Sequence, residues 1–187
     1  MKSDHSTRLI QVLAALDAEE LLRVLDRERR GKRNDYPNRV MWYSLMAGLI
    51  YGRATITSLI EELHINPGLR YLCGIERECG VPTASAFSRF LKRLIKHQDL
   101  LEAVFHQTVD SLGERVPGLG KNIAIDSTDV HAYANEHGKA SSDPDARWGV
   151  KGRERNYAWL GYKLHLLVCG DYELPLAFKV TPANKPD

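Results

Sequence analysis

The sequence predicts a helical N-terminal domain followed by the opening strands of a sheet-containing domain. Three observations carry that division. Apolar residues recur at the helical spacing of about 3.6 almost throughout residues 6–115, and at a spacing of about 2 beyond residue 122. Between them, RVPGLGKN (residues 115–122) holds a proline and two glycines, which suits a boundary between domains 1–114 and 122–187. The first segment past that boundary, KNIAIDSTDVHAYAN, reads as a buried strand yet carries Asp126 into its middle.

A chain of 187 residues suffices for one ordinary domain or two small ones. Its net charge of +2 is too small to attract nucleic acid globally, so such a partner needs a local basic surface. Cys73, Cys79 and Cys169 are odd in number and form no C-x-x-C pair, which argues against a disulfide framework or zinc ribbon and fits a reducing cytoplasm. The opening MKSDHSTRLIQVL lacks the apolar core of a signal peptide, and no apolar run approaches the ~20 residues of a membrane span. The expectation is a cytoplasmic protein.

Taken in order, Leu9, Val12, Leu13 and Leu16 form one helical stripe. DAEELLRVLDRERRG follows as a helix with Asp17 and Glu20 spaced as a capping box and Gly31 as its stop. Its tail is basic, Arg27, Arg29, Arg30, Lys32 and Arg33 outnumbering Glu28. YPNRVMWYSLMAGLIYGR reads as a largely buried helix ending near Gly52. TITSLIEELHINPGLRYLCGI reads as a helix, a Pro-Gly turn and a short helix. VPTASAFSRFLKRLIKH opens on Pro82 and Thr83, and DLLEAVFHQTVDSLGE on a second capping box, Asp99 to Glu102, with a break near Gln98.

The helix from Thr83 has two unlike faces. Phe87, Phe90, Leu91 and Leu94 fall on one side, and Arg89, Lys92, Arg93 and Lys96 on the other, with no acid between Cys79 and Gln98. An all-cationic face suits a helix laid along phosphates, and TITSLIEEL before it suits the first helix of a helix-turn-helix-like pair, despite a long connection. A solvated face that happens to be basic accounts for the same residues.

In the sheet domain, strands are predicted over 122–131, 157–168 and 173–181. Ile123 and Ile125 face away from Ala124, Asp126 and Thr128. Leu160, Tyr162, Leu164, Leu166 and Val168 share one face of the second strand, with Lys163 and His165 behind. The last two strands are expected to form a hairpin with an odd loop centred on Asp171. That loop sets Leu164 against Phe178, Leu166 against Leu176 and Lys163 against Lys179. Two lysines facing each other repel, so either a phosphate lies between them or they splay into water.

The motifs AIDSTDVHAYAN, DPDARWG and YAWLGYKLHLLV…LPLAFKVTPANKPD, in that order, resemble the catalytic domain of bacterial insertion-sequence transposases of the DDE class. YPNRVMWYSLMAGLIYGRATITSLIEEL and VPTASAFSRFLKRL resemble the N-terminal domain of the same transposases, so the likeness runs from about residue 35 onward. It implies an α N-terminal domain followed by an incomplete α/β ribonuclease-H-like domain of three antiparallel strands. By motif, Asp126 maps to the first acid of the catalytic triad and to a metal ligand. The second and third acids map beyond Asp187, which does not itself match either of them. The implied function is DNA binding and, in the complete enzyme, DNA strand cleavage and transfer with two Mg²⁺ ions, which carboxylates from different strands hold against the attacking and leaving oxygens.

From the missing acids follow expectations of no cleavage by this chain alone, an open edge on the first strand and one poorly covered sheet face. DNA at the insertion-sequence ends is the implied partner, with a homo-oligomer or a second polypeptide completing the catalytic domain. The basic helix residues and Lys163 and Lys179 are the candidate DNA contacts. A catalytically inactive DNA-binding remnant or regulator of transposition is the other reading. Ser127 and His131 do not make a serine hydrolase, because no G-x-S-x-G elbow is present. His64, His97, His106, His137 and His165 have no common metal-ligand spacing.

Overall fold

The structure is a computed structural model describing residues 2–28, 36–77, 80–132, 143–151 and 157–185. It divides into two compact units, residues 1–108 and 109–187. The helices are α1 (Lys2–Ala15), α2 (Glu19–Arg27), α3 (Asn38–Ile50), α4 (Ile56–Ile65), α5 (Pro67–Leu72), α6 (Ala84–Ile95) and α7 (Gln98–Arg115). The strands are β1 (Ile123–His131), β2 (Arg147–Lys151), β3 (Tyr157–Cys169) and β4 (Leu174–Pro182). A helical N-terminal domain therefore precedes the partial ribonuclease-H-like sheet, with four strands described where three were expected.

The helical unit closes around Leu9, Leu21, Leu25, Met41, Leu59, Leu63, Phe87 and Phe90, each at most 2 % exposed. These residues recur at i, i+3 and i+4 on their helices, so each helix buries one stripe against its neighbours. Local chemistry ends the helices. Thr55 and Ser58 exchange side-chain and backbone hydrogen bonds in a capping box at α4, and Thr83 Oγ1 accepts from Ala86 N at 3.2 Å at α6. Gly52, at φ 64°, follows α3 in the left-handed conformation that only glycine takes without strain.

Several expected caps differ. Asp17 accepts from Glu19 N at 3.2 Å while Glu20 pairs with Arg23, so no Asp17–Glu20 box forms. Asp99 already lies in the first turn of α7, and Glu102 instead takes the Gln98 side chain at 2.8 Å. Pro67-Gly68 is not a turn but the start of α5, whose cap is Asn66, accepting from Leu69 N at 3.0 Å. Gly31 and the cations Arg29, Arg30, Lys32 and Arg33 lie outside the described residues.

In the second unit β3 is the hub. It pairs antiparallel with β1 over residues 161–169, with β4 over 162–169 and with β2 over 157–161. Because β1 and β4 share the same stretch of β3, they lie on its two sides and form the edges. The hairpin register departs from expectation. Leu166 faces Phe178 and Leu164 faces Val180, while Lys163 faces Thr181 and Lys179 faces His165, so the two lysines are not opposed.

The physical reason is a compensation. The loop Gly170–Glu173 has four residues, a length that alone would put apolar against polar residues. A bulge between the Leu167 and Val168 pairings inserts one residue in β4 and restores the parity.

The strand β2 falls within a stretch read as polar loop. Its pattern is short but legible: Trp148 and Val150 alternate with Arg147 and Lys151 around Gly149. Gly149 is obligatory, since a Cβ there would stand 2.6 Å from the Trp159 ring that covers it. Gly161 faces both His131 and Arg147, and a Cβ on it would stand 2.1 Å from Val130 O.

Candidate catalytic carboxylate and basic helix

Asp126 occupies the middle of β1, opposite Leu166, which in turn faces Phe178. Directly paired residues share a face, so the carboxylate stands among Ala124, Thr128, Leu164, Leu166, Phe178 and Val180. The premise that this strand is buried does not hold. Asp126 is exposed, as is most of β1, with Ile125 74 % and Ile123 58 % accessible. An exposed carboxylate keeps its hydration, so no cation is needed to hold it there. Its Oδ1 accepts from Ser127 N at 2.8 Å.

The reverse face carries Ser127, Asp129 and His131 beside Lys163, His165, Lys179 and Thr181. Lys163 and Lys179 therefore lie on the opposite side of the sheet from Asp126. Asp129 is paired in register with Lys163, and His165 Nε2 meets Thr181 Oγ1 at 2.9 Å. His131 meets the Tyr157 hydroxyl at 3.0 Å, and lies ~13 Å along the strand from Ser127, too far for a nucleophile and its base.

Sequence reasoning missed one carboxylate. Asp143 Oδ1 accepts from the Tyr162 hydroxyl at 2.8 Å and from the amides of Asp145 and Ala146 at 3.2 and 3.3 Å. These bonds, the tyrosine's foremost, hold the Asp143 carboxyl below its ordinary range. Burial and the Asp143 contact push the Tyr162 hydroxyl up to about 12. Tyr162 sits on the Asp126 face two side-chain rows away, so Asp143 fastens a loop to the sheet and does not join Asp126. The signal for it was DPDARWG, in which Asp143 precedes Pro144 as an Asx-turn residue. Among the described residues no three His, Cys, Asp or Glu side chains are grouped closely enough to hold a metal ion.

On α6 the apolar stripe is as the spacing predicts, Phe87 being 0 %, Phe90 1 % and Leu94 5 % exposed. Arg89, Lys92 and Lys96 point to solvent along one line of the helix, and Arg93 is only half-exposed. The Arg93 guanidinium donates to Asn38 Oδ1 at 2.7 Å and lies 5.7 Å from the Phe90 ring centre. Asn38 is itself fully buried and donates to Asp26 Oδ1 at 2.6 Å.

Arg93 thus ties α6 to α3, which a helical wheel cannot reveal because the acceptor comes from 55 residues away. At the end of α6, His97 Nε2 meets Glu28 Oε2 at 2.9 Å, a contact that lowers the Glu28 carboxyl. Between these anchors an open groove of about 420 Å³ runs beside the helix, lined by Tyr36, Met41, Ala86, Arg89, Phe90 and Lys92 among others.

The chain matches two family models. One described as a Transposase domain (DUF772) covers residues 1–93, and one described as a Transposase DDE domain covers residues 118–187. No curated protein matches the chain, and no solved structure does. No helix among the described residues is long and apolar enough to cross a membrane. The two matches lie in transposase order, the first over the helices that include α6 and the second over the strand that carries Asp126. On these matches the chain belongs to the insertion-sequence DDE transposases.

Proposed function

We propose that residues 1–114 hold the DNA of an insertion-sequence end and that residues 122–187 supply the first acid of the strand-transfer site, in the cytoplasm. The observation that carries the reading is Asp126 itself. It is an exposed carboxylate projecting from the sheet's apolar face, on the first strand of the segment that matches the transposase DDE domain. Arg89, Lys92 and Lys96 are the phosphate contacts, and Arg93 positions them by locking α6 onto α3. Lys163 and Lys179 are a second candidate contact, on the face turned away from the carboxylate.

DDE transposase domains work with divalent metal ions, and Mg²⁺ is the ion proposed here. The described residues do not by themselves fit it. A magnesium ion takes six ligands in near-octahedral array, and among the described residues Asp126 belongs to no group of three His, Cys, Asp or Glu side chains that could supply them. The role assigned to this chain is therefore one corner of a metal site whose remaining ligands come from a further polypeptide segment or a second chain. Binding DNA without cutting it, as a remnant or regulator would, is the second reading. It is favoured by that same lack of a metal-holding group among the described residues.

Two measurements test the proposal. Log affinity for duplex DNA is expected to fall linearly with log salt. The slope should flatten by ~0.9 for each phosphate no longer neutralised in Arg89→Ala, Lys92→Ala and Lys96→Ala. A slope that ignores all three returns α6 to a solvated helix. Incubated with DNA and Mg²⁺, residues 1–187 are expected to nick nothing. A nicking rate that Asp126→Asn abolishes would show instead that this chain completes a metal site.

A further inference from the structure

The outer side of α6 carries two ridges. Ala84, Ser88, Leu91 and Ile95 follow one another at steps of four, three and four residues, and Ser85, Arg89, Lys92 and Lys96 do the same one position on. At about 100° per residue each set lines up along the helix, so the ridges run side by side. The second is cationic. The first is small at its N-terminal end and apolar at the other: Ala84 and Ser88 are exposed, Leu91 is half-buried and Ile95 is 71 % exposed. Neither ridge contains an acid, and Glu28 reaches α6 on the side of Arg93, where it meets His97 at 2.9 Å.

Phosphates account for the cationic ridge and leave its neighbour unexplained, because Ile95 has no polar atom to offer them. One exposed apolar side chain is ordinary on a protein surface. This one extends a ridge that runs beside the charges seating the helix, where the base edges of a duplex would lie. Ser88 is unusual as well. The hydroxyls of Ser44 and Thr108 fold back onto Val40 O and Val104 O of their own helices, both at 2.8 Å, whereas that of Ser88 bonds to no described residue. Its donor and its acceptor therefore both face outward.

We infer that α6 enters the major groove of duplex DNA and that Ser88 and Ile95 set the base sequence it prefers. The groove, ~12 Å wide, admits one helix. The cationic ridge then lies against the phosphates of one wall, and the other ridge faces the base edges. Ser88 can donate to a base or accept from it, Ile95 offers an apolar surface to a thymine methyl, and Ala84 lets the first turn approach closely. Seven residues separate Ser88 from Ile95, ~10.5 Å along the helix or about three base-pair steps. Pairing with α6 of a second copy along the same ridge would bring two rows of Arg89, Lys92 and Lys96 together, and like charges oppose it. The inference rests on the reading of α6 as a DNA-binding helix and adds to it the residues that discriminate among sequences.

The test is selection by the full chain from a pool of duplexes with a randomised core, then affinity for the selected duplex and for a scrambled one. A consensus that includes thymine is expected. Ser88→Ala and Ile95→Ala are each expected to weaken the selected duplex about fivefold or more, with the scrambled duplex, the salt slope and the thermal melt unchanged. Uracil in place of thymine, which removes the methyl, should weaken the wild type and make no further difference to Ile95→Ala. Ser88→Arg should move the consensus toward guanine. If both alanine variants discriminate as the wild type does, or lose affinity equally for the two duplexes, the inference is overturned. A salt slope that still answers to Arg89, Lys92 and Lys96 would then keep the phosphate contacts, whereas a slope that ignores them removes both readings. An oligomer that Ile95→Ala dissociates would give the ridge to a second copy and overturn its place in the groove.

Discussion

The two units of this chain bury their apolar residues to very different degrees. In the helical unit Leu9, Leu25, Ala47, Leu63 and Phe87 are all 0 % exposed. In the sheet unit only Cys169 among the described strand residues reaches 0 %, with Trp159 at 2 % and Leu160 at 8 %, while Ile125, Val150 and Val180 are 74, 53 and 47 % exposed. Both units are equally regular in backbone. A helix satisfies its own hydrogen bonds and needs one neighbour for one stripe, whereas a sheet has two faces and two edges and needs a layer for each face. Regular secondary structure is thus no measure of burial, and among the described residues the sheet unit leaves more of its large apolar side chains exposed.

The largest effect that sharpens this contrast is expected at Gly161. Replacing it with alanine drives a Cβ to 2.1 Å from Val130 O, a backbone atom that cannot swing aside. A loss of more than about 4 kcal/mol is expected. Hydrogen exchange should show sheet amides unprotected while those of α3 and α4 keep their protection. Next comes Phe87→Ala, which empties a fully enclosed site and should cost about 3–5 kcal/mol in the helical unit. Its counterpart Val180→Ala, on a residue 47 % exposed, should cost within about 1 kcal/mol. Equal losses for the two in thermal melts would erase the difference between the units.

A smaller effect separates the cations of α6. Arg93→Ala leaves Asn38 without its donor and should cost about 1–3 kcal/mol, against about 0.5 or less for exposed Lys92→Ala. Loss of DNA affinity without loss of stability is the mark expected for Lys92, and the reverse order would exchange their roles.

The smallest effect concerns the loop fastened by Asp143. Its carboxyl is held below the ordinary value of 3.8, so its contribution is full above that value and is lost as pH falls through the lower folded value. Tyr162, raised from 10.0 to about 12, contributes fully below pH 10 and loses that contribution as pH climbs toward 12. Tyr162 resonances followed by NMR should report both limits, and Asp143→Asn should remove the acid one.

Much of the helical unit was legible because its signals are local. Thr83 caps α6 where its hydroxyl falls, and Phe87, Phe90 and Leu94 face inward because a helix repeats every ~3.6 residues wherever it sits. The change of period past residue 122 likewise marked the sheet, and the IDST motif marked Asp126. The missed strand β2 was short, and Asp17 and Asp99 had cap spacing without cap geometry. Arg93 looked like its neighbours Lys92 and Lys96 until Asn38, on another helix, was brought against it.

By itself, the sequence determined most of the helices and three of the four strands, which side of α6 is apolar, and which strand carries the candidate acid. Those properties depend on residues within one or two turns of each other. The tertiary structure decided the hairpin register, the Asp143–Tyr162 link, the burial of Asn38 under Arg93 and the exposure of Asp126. Each of these joins residues distant in the chain, and whether a carboxylate sits in water or in oil depends on what is packed above it, which no local pattern of side chains records.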